Sequence, residues 1–388
     1  MTINSRGSCT AFRGRRVVWW FSAVLFLCVM TPLVSWSAVT LSPEMEKDLG
    51  QMLIVGFRGL SVDEASPVIQ DIRKRNIGGV ILFDYDVPAG SPVRNIASPV
   101  QVRALTEALQ AAASTPLFIA VDQEGGKICR LKTRFGFPPT VSAEYLGGLD
   151  DPAASRRYAM AAAETLHEAG SNVNFAPVVD LNRNPTNPVI GMLERSYSAD
   201  PAVVVRHAMV VIEALHSRRI LLALKHFPGH GSSAADSHLG VVDVTRTWDP
   251  VELVPFERII KSGACDMVMT AHIFNGNLDS RRPATLSAKT ITGILREKLG
   301  YDGVVVSDDM QMGAIRSSYG LEAAIRMALA AGCDILVFAN NSVFEEDIAE
   351  RAVGIIRKLV ADGTVTPEKI GHSLGRIKKL KERISPAP

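Results

Sequence analysis

Eight short apolar runs, separated by longer stretches of helical periodicity, constrain the fold of this chain more than any single residue. They lie at 52–57, 79–83, 117–121, 173–179, 220–224, 267–271, 303–306 and 335–338. Each is close to continuously apolar and rich in β-branched residues, which predicts strands buried on both faces. Helices are predicted between them at 67–75, 99–113, 153–169, 201–217, 250–262, 288–299 and 321–331. Doubly buried strands alternating with helices form a parallel sheet covered from outside. Eight such units over roughly 300 residues predict an α/β fold, a TIM-like (β/α)8 barrel in a single domain. No Gly-x-Gly-x-x-Gly turn follows the first strand, which argues against an open dinucleotide-binding sheet.

The segment ahead of the barrel reads differently. Arg6, Arg13, Arg15 and Arg16 precede any acidic residue, and an apolar run follows at 17–34. Small residues at Ser35 and Ser37 suit cleavage after Ser37 or after Ala38. Residues 1–38 are therefore predicted to be a signal peptide or a signal anchor, and residues 42–385 the barrel. Either way the barrel is expected outside the cytoplasm, periplasmic or secreted, with a tether to the inner membrane if the leader is retained. Removing the four leader arginines from the formal net charge of +2 leaves −2, so no broad basic surface argues for nucleic acid. Beyond the leader, Cys129, Cys265 and Cys333 lie in or near apolar segments without Cys-x-x-Cys spacing, which suits buried free thiols. A barrel of this size is expected to work as a monomer.

In such a barrel the active site forms at the C-terminal ends of the strands. Six runs end in polar residues: Asp122, Asp180, Lys225-His226, His272, Asp308-Asp309 and, after Ala339, Asn340-Asn341. Taken singly, Asp180 or Asn340 could equally be a structural cap. The stretch from Lys225 to His238 is the densest, with Lys225, His226, His230, Asp236 and His238 in one short segment. His226, His230 and His238 could together ligate zinc. Against that, a metallohydrolase barrel would bring a His-x-His pair at the first strand, where Ile54-Val55-Gly56-Phe57 stands, and no metal or cofactor is expected. Asp236, two residues before His238, can orient the imidazole for proton transfer. A carboxylate at Asp308 facing a proton donor is the apparatus of retaining glycoside cleavage.

These residues resemble the β-N-acetylhexosaminidases of glycoside hydrolase family 3. The likeness rests on Lys225-His226-Phe227-Pro228-Gly229-His230-Gly231 with Asp236-Ser237-His238, on the segment from Asp302 to Met312, and on Val121-Asp122-Gln123-Glu124-Gly125-Gly126 with Arg130. Asn187-Pro188-Val189-Ile190-Gly191 with Arg195-Ser196 extends it, and it runs over about 49–376. The resemblance implies an exo-acting β-N-acetylglucosaminidase working on carbohydrate, either peptidoglycan-derived muropeptides or chitooligosaccharides. It implies Asp308 as nucleophile, His238 with Asp236 as acid/base dyad, and Asp122, Arg130, Arg195, Lys225 and His226 as sugar-binding groups. His230 would hold the loop.

Two departures from the family pattern are visible. Met192-Leu193-Glu194 lengthens the approach to Arg195, and Lys127 replaces an Arg after the double Gly. A family 3 β-glucosidase is the alternative within the family, but its acid/base comes from a second domain, and after the eighth strand this sequence predicts only a closing helix at 345–361 and a short basic tail. A non-catalytic sugar-binding barrel is the alternative outside enzymes. It would keep Arg130, Lys225 and His226 without needing Asp308 or His238. Gly229, Gly231 and four small residues ahead of Asp236 predict a loop able to close over substrate.

Overall fold

The computed structural model describes residues 41–384, so the leader and its cleavage positions lie outside the described residues. Among the described residues no helix is long and apolar enough to cross a membrane. Ten strands follow in chain order: β1 (Leu53–Gly56), β2 (Gly79–Leu82), β3 (Phe118–Val121), β4 (Val173–Asn174), β5 (Leu221–Phe227), β6 (Val242–Asp243), β7 (Met267–Thr270), β8 (Ile273–Phe274), β9 (Val304–Asp309) and β10 (Ile335–Phe338). Eight of them close a parallel barrel in the order β1-β2-β3-β4-β5-β7-β9-β10, and Leu53 opposite Leu336 completes the ring. β6 and β8 form a separate two-stranded ladder above it, which the run pattern did not reveal because each strand has only two residues.

Three strand boundaries differ from expectation for physical reasons. The 173–179 run pairs only over Val173–Asn174, since Pro177 has no N–H to offer the ladder. Pairing with the neighbouring strand resumes at Val178 opposite Lys225. In contrast, β5 continues through Lys225 and His226 to Phe227, which pairs with Thr270, and β9 continues through Asp308 to Asp309, opposite Val337. The polar residues at these ends are thus held in ladders, not in flexible loops.

Several of the helices start where an Asp, Ser or Thr precedes a proline. Asp200 accepts the Ala202 N–H ahead of helix Pro201–Ser217, and Asp151 and Ser98 do the same for Pro152–Glu168 and Pro99–Ala112. The predicted basic tail is corrected by the same signal. Thr366 caps a helix, Pro367–Lys381, whose buried residues include Ile370, Ile377 and Leu380. This helix closes the floor of the barrel. The Lys381 ammonium donates to Gln51 Oε1 at 2.7 Å and to the Gly78 carbonyl at 2.8 Å, and lies 4.6 Å from the centre of the Phe118 ring. At the opposite rim, Gly56 meets the Ala339 carbonyl so closely that a Cβ there would come within 1.8 Å of its oxygen.

Candidate active site

The C-terminal ends of the strands surround a cavity of about 540 Å³ whose lining includes Asp122, Glu124, Arg130, Arg195, Lys225, His226, Asp236, His238 and Asp308. All eight site residues predicted from sequence therefore face one space. Its floor is a charge network. Lys225 Nζ lies 2.9 Å from Asp122 Oδ1 and 2.7 Å from Glu124 Oε1. Arg195 forks onto Glu124 with two contacts of 2.7 Å, and Arg130 reaches Asp122 Oδ2 at 3.3 Å. Burial would raise both carboxyls, yet the cations overcome it: Lys225 and Arg130 hold Asp122 below its ordinary value, and Arg195 and Lys225 do the same for Glu124. Arg130 Nε is buried with no partner among the described residues, a donor available to a ligand oxygen.

Two of the predicted groups, His226 and through it Arg195, owe their orientation to a strand-end residue that, taken singly, could equally be a structural cap. Asp180 is fully buried, and its carboxylate accepts the backbone N–H of His226 and His230 as well as His226 Nδ1–H at 2.7 Å. Because a carboxylate only accepts, Nδ1 carries the proton. His226 Nε2 is then free to accept from Arg195 Nη2 at 3.2 Å. Asp180, His226, Arg195 and Glu124 thus form one continuous chain. His230 is not part of the lining chemistry in the same sense: its ring bonds Ser233 Oγ at 2.7 Å and Ser237 Oγ at 3.3 Å, which ties the loop to itself. Burial and the neighbouring His226 push its imidazole down to about 4. With both rings engaged in this way, His226, His230 and His238 do not converge on a metal, and no three His, Cys, Asp or Glu among the described residues do so.

Asp308 and His238 line the same cavity. Burial opposes a charge on Asp308, but the imidazoles of His272, His226 and His238 and the Asp309 N–H, at 2.8 Å from Oδ1, keep its carboxyl below the ordinary value. Asp309 turns away and accepts the N–H of Gln311 at 3.1 Å and of Ala339 at 3.0 Å, locking β9 to β10. Burial first, and then Asp308, raises it to about 6. His272 fixes the same peptide from behind, with Nε2 donating to the Asp309 carbonyl at 2.9 Å and Nδ1 held by Thr285 Oγ1. On the loop, His238 Nδ1 donates to Asp236 Oδ1 at 2.7 Å, leaving Nε2 for a substrate atom. The loop backbone docks onto the segment after β9, through Gly313 N to His238 O and Ala314 N to Ser237 O, both 3.1 Å.

Glu124, Asp180 and His272 are the functional neighbours that reading the strand ends did not single out as site residues. For Glu124 a signal existed: it stands two residues past Asp122, so the period of an extended chain returns it to the same side. The two departures from the family pattern meet each other. Lys127 Nζ contacts Glu194 Oε1 at 2.7 Å and the Met192 carbonyl at 2.9 Å, and the longer approach still delivers Arg195 to the floor. Cys129, Cys265 and Cys333 are free thiols; Cys129 and Cys333 are buried, Cys265 only partly.

Comparison with known proteins agrees with this geometry. The family model described as the glycosyl hydrolase family 3 N-terminal domain matches residues 44–380. The chain is 34% identical over 380 residues to β-hexosaminidase A of Pseudoalteromonas piscicida, across 87% of this chain and 60% of that one. It is 36% identical over 294 residues to a β-hexosaminidase of Tolumonas auensis, across 74% and 83% respectively. Among solved structures, the family 3 β-N-acetylglucosaminidase of a Paenibacillus species superposes with a TM-score of 0.80 at 34% identity, covering 90% of this chain and 64% of the other. A β-N-acetylhexosaminidase from Beutenbergia cavernae gives 0.78 at 26% identity, with 89% and 99% covered. The chain thus spans less than two thirds of the Pseudoalteromonas and Paenibacillus proteins.

Proposed function

Because the chain belongs to glycosyl hydrolase family 3, we propose that it is a retaining, exo-acting β-N-acetylglucosaminidase. The observation that carries this reading is a carboxylate held ionised at Asp308 in the same cavity as an imidazole whose Nδ1 is fixed by Asp236. In the first step Asp308 forms a bond to the anomeric carbon as the glycosidic C–O bond breaks, and His238 Nε2 gives its proton to the departing oxygen. In the second, water attacks the anomeric carbon, its proton passes to His238, and the ester to Asp308 is released.

The floor supplies recognition. Asp122 and Glu124 can accept from sugar hydroxyls, Arg130, Arg195 and Lys225 present donors suited to hydroxyl and acetamido oxygens, and His226 lines the same cavity while holding Arg195 in place. The leader pattern supports action outside the inner membrane, on muropeptides or chitooligosaccharides, with a membrane tether if the leader stays attached. Release of the phenol from an aryl β-N-acetylglucosaminide tests the reading. Wild type should turn over and Asp308→Ala should lose about 10⁴-fold or more in kcat. No release by wild type, or an Asp308→Ala variant with full turnover, sinks it. Binding without turnover would favour the sugar-binding barrel.

A further inference from the structure

Behind the loop lies a carboxyl that the two steps above do not use. Glu252 sits in the short 3₁₀ turn Pro250–Leu253 that leads into helix Val254–Lys261, and it is fully buried. Its Oε2 accepts the Gly231 N–H at 3.1 Å, while Oε1 is buried without a hydrogen-bond partner among the described residues. The Ser232 hydroxyl that faces it is likewise buried and lacks a partner of bonding geometry. The chain presses against this side chain at Gly229, whose φ is +121° and where an added Cβ would come 2.6 Å from Glu252 Cβ. From the same segment, Trp248 Nε1 donates to the Pro228 carbonyl at 3.1 Å. Residues 248–252 therefore clasp the stem from which Asp236 and His238 extend.

What the clasp can transmit is visible in the hydrogen bonds beyond it. The His230 N–H goes to Asp180, which orients His226. The His230 ring reaches Ser237 Oγ, between Asp236 and His238 in the chain. Asn187 Nδ2 donates to the His230 carbonyl at 2.8 Å. Two buried carboxyls thus flank one stem with unequal support. Asp180 takes several N–H groups and stays ionised, whereas Glu252 takes that of Gly231 and one at Asp249 in its own turn and meets no cation among the described residues. Burial, with the Asp180 charge adding to it against the Ser232 hydroxyl, pushes Glu252 up to about 7. The groups facing it are Asp180 from the segment after β4 and Gly231 and Ser232 from the loop itself. As a neutral acid it can donate its O–H to the Ser232 oxygen and accept from Gly231; as an anion it can only accept, from the Ser232 hydroxyl and Gly231, and its buried charge is repelled by Asp180.

We propose that Glu252 is a positioning residue, whose protonated carboxyl clamps residues 229–233 so that the loop presents His238 opposite Asp308, and whose ionisation loosens that clamp. This rests on the assignment of His238 as acid/base. The test is hydrolysis of an aryl β-N-acetylglucosaminide by the full chain from about pH 5 to about pH 9, for wild type, Glu252→Gln and Glu252→Ala. The Gln variant, neutral throughout, is expected to keep kcat within about two-fold near pH 6 and to move the alkaline limb up by about one pH unit. The Ala variant is expected to lose about ten-fold or more in kcat at every pH, with KM changed by less than about three-fold. If Glu252→Ala does not fold, as judged by circular dichroism, the Gln profile alone decides. A Gln profile identical to wild type, a Gln variant inactive at every pH, or an Ala variant with wild-type kcat overturns the proposal. Failure of wild type to cleave at all would instead overturn the glycosidase reading.

Discussion

The floor of the cavity and the loop above it solve opposite problems. On the floor, Lys225 and Glu124 side chains are 3% and 5% exposed, and every charge is answered by an opposite one within hydrogen-bonding reach. On the loop, the His238 side chain is 57% exposed and is held by one bond to Asp236. Charges taken out of water must be paired or they destabilise the fold, so the floor is built into β5 and the segments that follow β3 and β4. An exposed pair contributes little stability, which frees the loop to be shaped by its chemistry. In the proposed mechanism, recognition and proton transfer are thereby assigned to a buried, charge-paired part and an exposed one.

The largest effect expected from perturbing this contrast is catalytic and confined to the loop. His238→Gly should lower kcat by roughly 10²- to 10⁴-fold and flatten the pH–rate profile, while leaving the thermal midpoint nearly unchanged. A large drop in melting temperature would show that the loop is structural after all. Next comes the floor. Glu124→Ala leaves Lys225 and Arg195 without their shared carboxylate and should destabilise the protein by about 3–5 kcal/mol in urea unfolding, besides weakening substrate binding. A smaller effect is expected at Asp236→Asn, where the acceptor survives but its charge does not. A loss of about ten-fold in kcat with unchanged stability would fit the difference between a charged and a neutral hydrogen bond.

The smallest effect separates the two regions by pH. Asp122 and Glu124 are held below their ordinary values, so they contribute stability that is present above the unfolded pKa and lost as pH falls through the folded one. Wild type should therefore lose stability between about pH 5 and pH 2. Glu124→Gln should narrow the difference between neutral and acidic unfolding free energies. An unchanged difference would mean that the floor charges are solvated in the folded state.

Much of the site was legible because apolar strands must end somewhere, and their ends are where Asp122, Lys225, His226 and Asp308 stand. The pairing of Asp236 with His238 was legible too, since two residues of separation brings the groups together without help from the fold. Glu252 was not, because a buried carboxyl has no sequence signature apart from the partners that make burial tolerable, and Asp180 was visible as a strand end but not as the group that orients His226. Helix Pro367–Lys381 was obscured differently: Lys378, Lys379 and Lys381 suggested a solvated tail, while the apolar stripe of Ile370, Leu374, Ile377 and Leu380 carried the helical period.

By itself, then, the order of residues determined the barrel and which side chains gather at its mouth, since strand period and burial are local properties of the chain. Only the tertiary structure decided who pairs with whom. Lys225 and Asp122 are 103 residues apart and Arg195 and Glu124 are 71 apart. Asp122, Glu124 and Arg195 acquire shifted acidities only once barrel closure has brought these charges together out of water, where the partners within a few ångströms set the energy of each ion.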